Sequence, residues 1–264
     1  MGLRLKHFSL MVRRHAPYAV LILLLPCLVM GALPLQWIDG IMESHDYVII
    51  GPDGVPIGQI HQELSGVTGR GGQKDLKARY EIVRQSEGPD GELLTGKTTS
   101  QVIFNQRTYE LYSRLDNYSS TKSEDIKVTF TPTPTGVEVV SQRVGNSDGG
   151  NADRQMLTFN LPGPLIDQLA FIYLIRGLPL EKGHSFSVTT VNPSRKDSVE
   201  WHKGMVLGPR MVPWGDDQVE AWVIETATAL GVTSYHVLPD ESRTLIRYIS
   251  PRREVYQLLP AEED

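Results

Sequence analysis

Between residues 46 and 259, apolar side chains recur at every second position in short runs, and segments rich in Gly, Pro, Asn and Asp separate the runs. A period of two places successive side chains on opposite faces of an extended chain, so these runs predict β-strands with one buried face and one wetted face. The stretch DYVIIGPDGVPIGQIHQEL, residues 46–64, predicts a hairpin turning at Pro52, Asp53 and Gly54, where Pro presets φ and Gly accepts a positive one. Residues 66–73 (GVTGRGGQ) read as a loop, followed by strands at 76–84, 98–104, 107–114, 126–131 and 136–143. A second series is expected at 184–191, 198–206, 218–228, 232–238, 243–249 and 253–259, with clear alternation in Val219, Ala221, Val223 and in Thr244, Ile246, Tyr248. No βαβ alternation is present, which excludes a parallel sheet from the expected architecture.

Two segments break the period of two. LPGPLIDQLAFIYLIRGLPL, residues 161–180, reads as a helix with Pro164 in its first turn, Asp167 near the positive end of its dipole and Arg176-Gly177 at its end. It is apolar nearly all round, so it is expected to be buried on most sides, as a plug against a curved sheet. The polar run 145–155 (GNSDGGNADRQ) is the best candidate for an internal boundary. The fold expected is therefore mainly β: a curved antiparallel sheet or open barrel with one buried helix.

The other exception lies at the start. Residues 1–15 carry Arg4, Lys6, Arg13 and Arg14 and no acid, and residues 16–38 are 23 positions without a charge. A basic leader before an apolar run of that length marks an export segment, with the body, residues 39–264, on the extracytoplasmic, periplasmic side. Small residues for cleavage are poorly placed, while the run is long enough to span a bilayer, so the balance favours a signal anchor over a cleaved signal sequence. Cys27 is the sole cysteine and follows Leu25-Pro26, a poor context for lipid attachment, so it reads as a membrane-buried spectator.

Composition narrows the chemistry. Removing the four basic leader residues leaves 22 Lys+Arg against 31 Asp+Glu, a charge of −9, with the cations scattered. No electrostatic footprint for nucleic acid or for an anionic lipid surface follows. Without Cys, the body has no disulfide, no thiolate metal site and no Cys nucleophile. His45, His61, His184, His202 and His236 fall into no metal-binding spacing, and no G-x-S-x-G is present. Asp216-Asp217 and Glu262-Glu263 read as solvated turn and tail charge, and residues 148–153 lack the spacing of a calcium loop. Gly69-Arg70-Gly71-Gly72 precedes no Lys-Ser/Thr helix and is no phosphate cradle. No catalytic residue, metal or cofactor is expected.

Aromatic residues carry the remaining signal. Trp201, Trp214, Trp222, Tyr235, Tyr248 and Tyr256 all fall in the last third. If Trp201 and Trp222 point inward, then with Tyr248 they line an apolar concavity, the usual setting for a small-molecule or lipid site; core packing is the other reading.

The order of elements, a hairpin with Gly54, Ile57 and Gly58, the helix region DQLAFIYLIRGLPLEKGHSFSV and the closing SYHVLPDESRTLIRYISPRREVYQLL, resembles the bacterial envelope family called domain of unknown function 3108. The resemblance implies an exported β-rich domain and brings no catalytic residue with it. Three functions stay open: a non-enzymatic domain binding an apolar or amphiphilic ligand or an envelope partner, an envelope hydrolase, and a structural interaction module whose interior is filled by its own helix.

Overall fold

The computed structural model describes residues 43–260, apart from 70, 71, 73, 89, 121, 122, 135, 144–152, 159–163 and 193–198. The leader, residues 1–38, and most of the 145–155 loop lie outside the described residues. Fifteen strands and one helix follow in order: β1 (Glu43–Ile50), β2 (Pro56–Thr68), β3 (Lys74–Glu87), β4 (Leu93–Asn105), β5 (Leu111–Ser120), β6 (Ser123–Thr133), β7 (Gly136–Arg143), β8 (Asp153–Thr158), β9 (Ile166–Asp167), α1 (Gln168–Arg176), β10 (Ser185–Val191), β11 (Val199–Trp214), β12 (Asp217–Thr228), β13 (Gly231–Val237), β14 (Leu245–Ile249) and β15 (Val255–Leu258). No helix among the described residues is long and apolar enough to cross a membrane.

All strands belong to one sheet, ordered β8-β7-β6-β5-β4-β3-β2-β1-β15-β14-β13-β12-β11-β10-β9. It consists of two meanders joined where β1 meets β15, with Tyr47 opposite Leu258. The two edges, β8 and β9, are consecutive in the chain. Seven residues separate Thr158 from Ile166, and eight Cα steps reach at most ~28 Å. Laid flat, fifteen strands would put the edges ~67 Å apart at ordinary strand spacing. The sheet must therefore roll up. It does so without a continuous closing ladder: among the described residues the backbone contacts between the β9 and β5 regions are an isolated Glu110–Ile166 bridge and a bond from the Leu111 amide to the Leu165 carbonyl, 2.7 Å.

Local chemistry supports the roll. In β11 the register shifts between Val206 and Gly208, and Gly208 has φ +110°, a bulge that bends a 16-residue strand around the interior. Gly204 lies opposite Phe186, and any Cβ there would come within 2.1 Å of the Phe186 ring. The ring thus occupies the space the glycine leaves.

Inside the roll sits α1. Its Ala170, Phe171, Tyr173, Leu174 and Ile175 join Leu64, Leu76, Val102, Phe104, Val206, Ile224 and Val237 of the sheet in the main core. Both helix ends are buried, so the unsatisfied groups of each end need partners inside. Asp167 caps the first turn by accepting from the Leu169 amide (2.7 Å), and Arg114 of β5 donates to both Asp167 oxygens (3.3 and 3.1 Å). Arg114 also donates to Asp116 (2.8 Å), which accepts from the Tyr118 hydroxyl (2.7 Å). At the other end Arg176 pairs with Glu43 (2.8 Å) and donates to the Arg243 and Ser242 carbonyls, both 2.8 Å. Anion at the N-terminus and cation at the C-terminus both suit the helix dipole.

Several expectations are corrected. A strand was expected at 107–114, but residues 105–109 form a turn in which Tyr109 takes φ +58°, and β5 starts at Leu111. The helix begins at Gln168, leaving Pro164 outside it and Asp167 as its cap. β8 was not expected as a strand at all; it pairs with β7 across the 145–155 loop, Ser141 facing Asp153. Pairing is antiparallel except for β9 and β10, two parallel residue pairs, because α1 and the segment after it form a crossover between them.

Replacing Arg114 with Ala strands two buried carboxylates. Breaking a buried ion pair from one side costs about 3–5 kcal/mol, so the urea midpoint of the full-length chain should fall steeply in Arg114→Ala. An exposed control such as Arg79→Ala should leave it nearly unchanged.

Candidate ligand cavity

Alternation decides which side chains of each strand face α1. On β2 these are Ile60 and Gln62, on β3 Tyr80, Ile82 and Arg84, on β11 Glu200 and His202, and on β13 Thr233 and Tyr235. With Gln168, Leu169, Phe171 and Ile172 of the helix they bound a cavity of about 270 Å³, just under the volume range usual for small-molecule sites. Arg84, Leu230 and Pro251 stand at its more exposed end; Tyr47, Gln62, Tyr80 and Leu245 form its floor.

Tyrosines dominate the wall. Register aligns Tyr235 with Tyr248 and Tyr248 with Tyr256 across three neighbouring strands. Their ring centroids lie 5.3 and 4.7 Å apart, within the range of favourable offset and edge contacts. The floor hydroxyls are spoken for: Tyr47 donates to the Leu245 carbonyl (2.8 Å) and Tyr80 to the Leu169 carbonyl (2.9 Å). Gln62 donates to the Tyr173 hydroxyl, 2.8 Å. Burial, the main cause, pushes the hydroxyls of Tyr47 and Tyr80 well above the ordinary tyrosine range. The floor is thus aromatic and neutral.

Charge gathers at two places. At the rim, Arg84 makes two bonds to Glu254 (3.0 and 3.2 Å) and a third to the Tyr256 hydroxyl. Glu254 is held below its ordinary range first by its hydrogen bond from Arg84, and Arg84 is held above its own despite burial. On β11, His202 accepts or donates at Thr190 Oγ1 (2.9 Å), packs its ring 4.3 Å from Phe171, and lies 3.8 Å from Glu200. Its Nδ1 is buried and has no hydrogen-bond partner among the described residues. Burial pushes the His202 imidazole down to about 4, and burial, followed by Arg247 and Arg210, does the same to His236.

At the buried helix cap the two partners pull apart. Desolvation is the largest influence on Asp167 and raises it, while Arg114 is held protonated by Asp167 and Asp116 against its own burial. The two guanidinium contacts and the Leu169 amide all require acceptors on Asp167, so the geometry stands with the ionised pair.

Of the three residues singled out in the sequence, Tyr248 is on the cavity wall. Trp222 packs against the main core beside the cavity without lining it. Trp201 is 56% exposed on the outer face, because His202 takes the inward position next to it. Trp214 is elsewhere, donating to the Leu258 carbonyl (3.1 Å). Among the described residues no three His, Cys, Asp or Glu side chains converge as metal ligands would.

Both depressed imidazoles are neutral in the folded protein and take up protons more readily once unfolded. Their contribution to stability is whole above about pH 6.5 and is lost as pH falls toward 4. Urea midpoints measured from about pH 7 to 4.5 should fall with pH. A His202→Gln, His236→Gln double variant should show a flatter profile.

Comparison with known proteins supplies a fold neighbour and a family. The crystal structure of a beta-barrel-like protein of domain of unknown function DUF1849 from Brucella abortus superposes with a TM-score of 0.55 at 9% identity, covering 84% of this chain and 97% of that one. At that identity the likeness is one of fold. No curated protein matches the sequence. Residues 45–252 match the family model described as Protein of unknown function (DUF3108), and with most of its length so matched the chain belongs to that family.

Proposed function

We propose that this chain is an exported, membrane-tethered domain that binds a small apolar or amphiphilic molecule in the cavity between α1 and the rolled sheet. The observation that carries the reading is the cavity itself: a tyrosine-lined chamber of about 270 Å³ left open beside a helix buried in the main core. Few convergent polar groups in an apolar concavity are what small-molecule sites present. The basic leader and the 23-residue uncharged run support export and a tether. A body with a charge of −9 has no cationic patch of its own to hold a membrane.

Geometry weighs against a hydrolase. Thr190, His202 and Glu200 contain the residue types of a nucleophile, base and acid. In a working triad the acid orients the imidazole through the nitrogen opposite the nucleophile. Here Thr190 and Glu200 both approach Nε2, while Nδ1 has no partner. Thr190 is also 1% exposed.

The test is a binding titration of the full-length chain in nanodiscs with N-phenylnaphthylamine, a neutral apolar fluorophore, against empty nanodiscs. Saturable binding is expected. Ile172→Trp, which fills the cavity from the helix side, should abolish it, and Trp201→Ala on the outer face should not change it. Absence of saturable binding, or full binding by Ile172→Trp, overturns the reading.

A further inference from the structure

We propose that the cavity selects amphiphiles whose head group donates hydrogen bonds, an amine or a hydroxyl, and discriminates against carboxylates. The proposal rests on the cavity-binding reading above and adds the polarity of the ligand.

The argument starts from acceptors. Glu200 and His202 stand two positions apart on β11, so both reach the cavity from one face. Their 3.8 Å separation is too long for a hydrogen bond. Among the described residues the Glu200 carboxylate makes none, and it keeps its acceptor capacity for whatever enters. The neighbouring carboxylate also settles the imidazole tautomer. A proton on Nε2 faces both Thr190 Oγ1 and Glu200, whereas a lone pair there would face a negative charge. The proton on Nε2 leaves a lone pair on the buried, unpartnered Nδ1. That nitrogen is sealed from the cavity, so the open acceptor an entering head group meets is the Glu200 carboxylate.

The cations point the same way. The guanidinium of Arg84, the cavity's one arginine, is committed to Glu254 and Tyr256 by three hydrogen bonds. His202, driven down to about 4 by burial, adds no positive charge at neutral pH. An incoming carboxylate would meet Glu200 with no free cation on the described wall to offset the repulsion. An ammonium or hydroxyl would satisfy Glu200, with its chain lying against Phe171, Tyr235 and Tyr248.

Matched eight-carbon probes suit a chamber of this size. Octylammonium, octanol and octanoate compete with N-phenylnaphthylamine for the full-length chain in nanodiscs at neutral pH. Octylammonium and octanol should displace it at concentrations at least about tenfold below octanoate, the scale of one charge-assisted hydrogen bond. In Glu200→Gln, the gap between octylammonium and octanoate should shrink. Equal or tighter binding of octanoate to the native chain overturns the proposal while leaving the cavity reading intact; so does an unchanged gap in a folded Glu200→Gln. Failure of N-phenylnaphthylamine itself to bind overturns the cavity reading and this proposal with it.

Discussion

The contact between Arg114 and Asp167 holds three things together. Asp167 ends the edge strand β9 and caps α1, and Arg114 belongs to β5, four strands beyond β1 on the other meander. One guanidinium therefore joins the helix to the sheet, one edge of the roll to its opposite arm, and the helix dipole to a buried anion. Connectivity demands that the edges come near each other, but a two-residue strand and one isolated bridge are a thin seam. The ion pair supplies the missing closure. Removing charge from water is expensive, and the cost is tolerable here because the Leu169 amide, Asp116 and Tyr118 complete the network.

The cavity follows from a mismatch in length. Nine helical residues extend ~14 Å, whereas a 14-residue strand such as β3 extends ~46 Å before twist and tilt shorten it. A plug so much shorter than its sleeve leaves interior unfilled. Arg176 fixes which end: its bonds to Glu43 and to the Ser242 and Arg243 carbonyls draw the helix toward the start of β1. Space remains beside the first turn, where Leu169 and Ile172 face Ile82 and Tyr248. Arg243 holds φ +49° in the turn that receives Arg176, local backbone strain sustained by the contact it makes.

Alternation made most strands legible, and the uniformly apolar LIDQLAFIYLIR made the buried helix legible. What alternation could not give was which parity faces in. In VEWHKGMV the apolar Val199, Trp201 and Met205 share one face, and that face points to solvent. Phe186 decides the matter from the next strand: its ring needs Gly204 opposite, so 200, 202, 204 and 206 turn inward together. The same blindness hid Arg114 and Asp116, charged residues that read as surface until β5 is seen facing the helix cap. Tyr80 and Gln62 read as ordinary strand residues because their partners lie on a helix more than 80 positions away, and Tyr47 does so because its partner, Leu245, is 198 positions away. Pairings between distant elements leave no local periodicity to read.

The junction of β1 with β15 sets an order of assembly. Every other antiparallel ladder joins neighbours along the chain, so each meander can zip up from local hairpins. This one joint spans Tyr47 to Leu258 and cannot form until the final strand has emerged. Until then β1, paired with β2 on one side, is an open edge whose outward amides and carbonyls face no strand, the state in which sheets pair with foreign chains. Four residues of β15, bonded on one side to β1 and on the other to β14, therefore act as a late-arriving clasp. A chain ending short of Val255 would leave two half-sheets with no shared spine.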